Sequence, residues 1–266
     1  MAQESNEAEP AVLYDKTDHI VTITYNRPDA MNAVNAQLRE EVNEAWLRFR
    51  DDQDAWVAIL TATGDKAFSA GADMKDGKGS VGTWDGTFFE IPTINSFESG
   101  LELYKPTIAA VRGWCIGYGL TACAACDFIV AGESSKFMFP EVRIGVPTIV
   151  GSIRLPNKIG WANAMEMLLT GDSFDAEQAK DMGLVWRVTP DDDVLSEARK
   201  LAERLCQGAP LAVRATKEVG WRSQRMGWTE SVRFGESVRR IVGASNDATE
   251  GRVARAEGRD PDWTGT

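Results

Sequence analysis

Hydrophobic and polar positions fall into two patterns along the chain. From Ile20 to Tyr25 they alternate, with Val21, Ile23 and Tyr25 opposite Ile20, Thr22 and Thr24, and the run ends at the turn signal Asn26-Arg27-Pro28. This predicts a strand entered through a turn at Thr17-Asp18-His19. Over 35–51 the period lengthens, and Leu38, Val42, Ala45, Trp46 and Phe49 share one helical face. Residues 56–62 are apolar almost throughout, which suits a strand covered on both faces, and 107–112 and 128–131 repeat that pattern. Beyond Trp161 helical spacing dominates, with candidate helices at 162–169, 176–182, 194–206, 211–219 and 229–241. The expected organisation is a disordered leader at 1–12, an α/β unit over 13–190 and a helical region over 191–266.

Composition narrows the function. The 266 residues are 43% hydrophobic and 26% charged, ordinary for a globular chain. No apolar run reaches the roughly 18 residues of a membrane span. The acidic, polar opening residues have no basic start or apolar stretch, so a cytoplasmic protein is expected. A net charge of -11 argues against nucleic-acid binding. Cys123 and Cys126 form a C-x-x-C, but within an apolar helical run with no second such pair, and are read as buried thiols. His19 is the single histidine and there is no G-x-S-x-G, so acid/base work falls to carboxylates, lysine or tyrosine. No metal set and no separate cofactor are expected.

Two glycine-bearing segments each follow an apolar strand. One holds Ala70, Gly71, Ala72, Asp73, Met74 and Lys75; the other holds Gly117, Tyr118, Gly119 and Thr121, ahead of a helix expected to start near Gly119 or Leu120. Small residues let backbone approach a ligand and leave N–H groups pointing outward, and a helix start adds its positive end. Side by side, two such loops form a two-donor oxyanion hole. The second also matches G-x-G-x-x-A, but outside a first βαβ unit and without the ribose acid, so a dinucleotide site is not favoured. Between the loops, 71–104 mixes glycines with Trp84, Phe88 and Phe89, which reads as a disordered loop or a lid over an apolar pocket, against the alternative that these rings pack in the core or at a subunit interface.

In order, the segments Asn26-Arg27-Pro28 with Asn32-Ala33, Ala67-Phe68 with Ala70-Gly71-Ala72-Asp73, the run from Lys105 to Gly113, Cys126-Asp127, and the run from Phe139 to Gly145 resemble the crotonase (enoyl-CoA hydratase/isomerase) superfamily. So do Arg154-Leu155-Pro156, Leu169-Thr170-Gly171, Pro210-Leu211-Ala212 and the tail from Glu250 to Trp263. The resemblance implies an α/β fold, a ββα spiral core with a helical C-terminal trimerisation region, assembled as a homotrimer or dimer of trimers. It implies an acyl-CoA thioester substrate, coenzyme A being part of that substrate, with the thioester oxygen held by the Ala72 and Tyr118 amides and Lys75 near the adenine end. Tyr118 departs from the glycine usual at its position.

The same resemblance assigns acid/base work to Glu141. Hydratases of the family have a second glutamate where this chain has Thr121. Losing one carboxylate favours double-bond isomerisation, which needs one proton shuttle, over hydration, which needs an acid and a base. No tyrosine follows Tyr118, against hydroxycinnamoyl-CoA hydratase-lyase activity, and Ile149 stands where dienoyl isomerases have aspartate. Ile149 and Val150 are expected to make the acyl site drier and tighter. The remaining alternatives are a hydrolase or lyase on a bulky aromatic or alicyclic acyl-CoA, and a non-catalytic acyl-CoA-binding subunit.

Overall fold

A computed structural model describes residues 9–75 and 96–266. Trp84, Phe88 and Phe89, the proposed lid aromatics, lie outside the described residues. The chain begins with strands β1 (Val12–Thr17) and β2 (Ile20–Tyr25), helix α1 (Ala36–Asp51), and strands β3 (Val57–Ala62) and β4 (Ala67–Ser69). Next come β5 (Thr107–Val111), β6 (Trp114–Ile116), helix α2 (Tyr118–Ala125), β7 (Phe128–Gly132) and β8 (Lys136–Met138). Helices α3 (Val150–Ile159) and α4 (Trp161–Thr170), strand β9 (Ser173–Asp175), helix α5 (Ala176–Asp181) and strand β10 (Arg187–Thr189) complete the α/β part. Four helices close the chain: α6 (Val194–Cys206), α7 (Pro210–Ser223), α8 (Trp228–Gly243) and α9 (Asn246–Glu257).

The strands form two sheets, ordered β1-β2-β3-β5-β7-β10 and β4-β6-β8-β9. The long strands β3, β5 and β7 pair in parallel, and each is followed at once by a short strand of the second sheet. The chain therefore winds as a spiral that advances one strand in both sheets per turn. Continuous apolar strands follow from this, because the first sheet is covered twice. Val57, Ile59, Ile108, Ala110 and Val130 pack with Val194, Ala198, Leu201 and Ala202 of α6. Ala58, Leu60, Ala109, Val111, Ile129 and Ala131 face the larger core with α1 and α2. In α1 the buried side chains are Leu38, Val42, Ala45, Trp46 and Phe49, and the Asn35 side chain caps its start by accepting from the Leu38 N–H.

Some elements differ from the expectation. Part of the expected leader is ordered: Ala11 is buried and β1 begins at Val12. Helix α2 starts at Tyr118, earlier than expected, with Gly117 as its cap. Cys115, Cys123 and Cys126 are buried free thiols, and burial pushes the Cys126 thiol well above its ordinary range. No described helix is long and apolar enough to cross a membrane.

Candidate active site

The first loop is built on Asn32. Its buried amide donates to the Thr63 and Ala67 carbonyls at 2.9 and 3.0 Å and accepts the Arg27 N–H at 2.8 Å. Arg27 reaches on to the Ala33 carbonyl and to Asp73, 3.1 Å away. Asp73 also accepts the Lys75 N–H at 3.1 Å, and that bond, with Arg27, holds its carboxyl below the usual range. Asp73, expected at the substrate, is thus occupied in pinning its own loop. Val34 bridges this loop in parallel, its N–H donating to the Gly71 carbonyl and its carbonyl accepting from Asp73 N–H. Both bonds fall on the neighbours of Ala72, so the Ala72 N–H faces away from the bridge.

The second loop lies directly against the first. A Cβ on Gly71, where φ is 88°, would sit 3.1 Å from the Ile116 carbonyl. A Cβ on Gly117, where φ is 52°, would stand 4.0 Å from the Gly71 Cα and 2.7 Å from the Glu141 Oε1. Only glycine accommodates both the contact and the backbone angle. Gly119 continues the contact, its Cα side packed on Ser69. Among the described residues, neither the Ala72 nor the Tyr118 N–H has a backbone acceptor.

Glu141 opens a 3₁₀ turn over Glu141–Ile144 after β8. Among the described residues its buried Oε2 has no hydrogen-bond partner. It lines a cavity of about 380 Å³ together with Ala72, Met74, Tyr118, Thr121 and Ile149. Thr121 donates its hydroxyl to the Gly117 carbonyl at 3.2 Å. Val146, Pro147 and Val150 add to the apolar wall. Ile149 remains 62% exposed and Met74 74%, so they form an open rim; the described residues do not seal the site as tightly as the sequence suggested. Ala70 is tied by its N–H to the Met31 carbonyl, and Lys75 is exposed.

A second carboxylate, missed by sequence reasoning, also lines the cavity. Glu98 accepts the Tyr118 hydroxyl at 2.7 Å. Its sequence surroundings carry no motif; only the fold brings it to Tyr118. His19 lies elsewhere, stacked on Trp56 with ring centroids 3.5 Å apart.

Comparison with known proteins first defines the class. An enoyl-CoA hydratase from Mycobacterium tuberculosis superposes with a TM-score of 0.87 at 38% identity, covering 97% of this chain and 100% of that one. A probable enoyl-CoA hydratase/isomerase from Mycobacterium abscessus gives 0.88 at 35% identity, with 97% and 100% covered. The fold is therefore the crotonase fold. In sequence, a carnitinyl-CoA dehydratase of Citrobacter koseri is 40% identical over 251 residues, 92% of this chain and 95% of that protein. A probable enoyl-CoA hydratase of Mycobacterium bovis is 37% identical over 257 residues, 95% and 97% respectively. The family described as Enoyl-CoA hydratase/isomerase matches residues 15–266. The chain belongs to that family of enzymes.

Proposed function

We propose that the enzyme acts on an enoyl-CoA thioester, with Glu141 moving the proton and the Ala72 and Tyr118 N–H groups holding the thioester oxygen. The observation that carries this reading is the buried Glu141 Oε2, which has no hydrogen-bond partner among the described residues beside the junction of the two loops. An unsatisfied buried acceptor costs about 1–3 kcal/mol, so its retention at a cavity wall calls for a use. In the reaction the carboxylate takes a proton from the α-carbon of a 3-enoyl thioester. The electron pair spreads over the carbons and the thioester oxygen, and the same carboxylic acid returns the proton at the γ-carbon. Each oxyanion donor contributes roughly 2.7–4 kcal/mol to such a transition state.

Isomerisation suits the site better than hydration. Thr121 stands where a second acid/base would act, and its proton is committed to the Gly117 carbonyl. Hydration is the second reading, favoured by relatives described as enoyl-CoA hydratase and carnitinyl-CoA dehydratase. Glu141→Gln is expected to lower turnover at least about 10²-fold; wild-type rates would remove Glu141 from the mechanism. Mass detection on a panel of enoyl thioesters separates products that gain one water from products of unchanged mass.

The reading includes a homotrimer or dimer of trimers. Helix α8 has no buried residue, and its Trp228 and Ile241 are 85% and 74% exposed, apolar area that an isolated chain would leave in water. Light scattering at micromolar concentration tests this, and a monomeric mass refutes it.

A further inference from the structure

Glu98 is a carboxylate that proton transfer by Glu141 does not use. It sits in a turn whose backbone is fixed twice: the Ser99, Gly100 and Leu101 N–H groups donate to the Ser96 carbonyl, and the Arg154 guanidinium donates to the Glu98 carbonyl at 2.7 Å. The side chain is 8% exposed and lines the same cavity as Glu141. Its Oε1 accepts two hydroxyls, from Tyr118 at 2.7 Å and Ser96 at 2.7 Å. Arg39, also on the cavity wall, lies over the Tyr118 ring 5.1 Å from its centroid. Burial, and then the Glu98 charge, raise the Tyr118 hydroxyl far above its ordinary range, so it keeps its proton and remains a donor to Glu98.

A carboxylate drawn out of water needs donors to replace those it loses. Both hydroxyls converge on one oxygen, and a carboxylate has about four acceptor positions. A hydrocarbon chain packed against Glu98 would displace water from the remaining positions without donating anything. An acyl chain carrying a hydroxyl at that depth would donate in place of the water. Sites built to pair a substrate hydroxyl reject the analogue that lacks it, because their own polar group is then left unpaired.

We infer that Glu98, held by Tyr118, is a specificity-determining residue that selects hydroxylated acyl groups over plain hydrocarbon chains. The inference rests on the reading of this cavity as the acyl-thioester site. The test compares 3-hexenoyl-CoA with its 5- and 6-hydroxylated forms in kcat/KM, and the corresponding saturated thioesters in equilibrium binding by calorimetry. Wild-type protein is expected to favour at least one hydroxylated form about 10- to 100-fold in both measurements. Glu98→Leu is expected to bring the ratio near one, and Tyr118→Phe, which keeps the backbone N–H, to lower it. A wild-type ratio at or below one for every hydroxyl position overturns the inference whether or not the variants fold. So does a folded Glu98→Leu protein that keeps the wild-type preference. Turnover of all chains without preference sinks the role of Glu98 alone. A binding preference with no turnover of any thioester sinks the proton-transfer reading and supports the role of Glu98.

Discussion

Replacing Gly117 by alanine puts a methyl group against Glu141 where the two loops meet. The added Cβ would lie 2.7 Å from Glu141 Oε1 and 3.6 Å from its Cδ. The backbone there, φ 52° and ψ -114°, is strained for any residue with a Cβ. Such a conformation costs about 1–3 kcal/mol, which lowers the melting temperature by roughly 2–10 °C in a chain of this size. The clash itself is relieved cheaply, because the nearer partner is the free end of a side chain. Restoring an ordinary contact of about 3.4 Å moves the carboxylate by about 0.7 Å. A misplacement near 1 Å costs about 10²-fold in rate, so kcat/KM is expected to fall about 10- to 100-fold while the protein stays folded. Steady-state kinetics on an enoyl-CoA, run beside thermal unfolding, reads both effects. A folded variant with wild-type kcat/KM would refute the placement of Glu141 against this loop as the working geometry.

Two further substitutions address the parts around it. Thr121→Glu, at a 6% exposed position on the cavity wall, is expected to raise hydratase activity on a short enoyl-CoA; a folded variant without gain means that pocket shape, not the missing carboxylate, limits hydration. Asn32→Ala removes three hydrogen bonds made by a buried side chain under the first loop and is expected to cost about 3 kcal/mol or more in denaturant unfolding, with a loss below about 1 kcal/mol counting against that role.

What could be read from the sequence tracks how strongly burial repeats along it. The α1 face and the strands β3, β5 and β7 were legible because each buries a regular set of side chains. Strand β1 was not: its positions alternate between half-buried and exposed at a sheet edge, so no apolar stripe marks it. Strands β4, β6, β8 and β9 have three residues each, too few to show a period. Helix α3 was hidden by its internal Pro156, and α9 by a largely polar sequence with only Asp247 and Ala254 buried.

The candidate site divides in the same way. The two loops were legible because close backbone approach demands small residues, and that demand is written locally at Gly71 and Gly117. Glu141 was reached through resemblance; by pattern alone it is a charge ahead of an exposed stretch, Val142 to Pro147. Glu98 left no trace, since its partner Tyr118 is twenty residues away and their pairing carries no local signature. The sequence by itself determined which segments must be buried and which backbone positions must be bare, because hydrophobicity and the absence of a Cβ are properties of single residues. Only the tertiary structure decided which polar groups share one cavity, because that depends on the spiral laying loops from successive turns against each other.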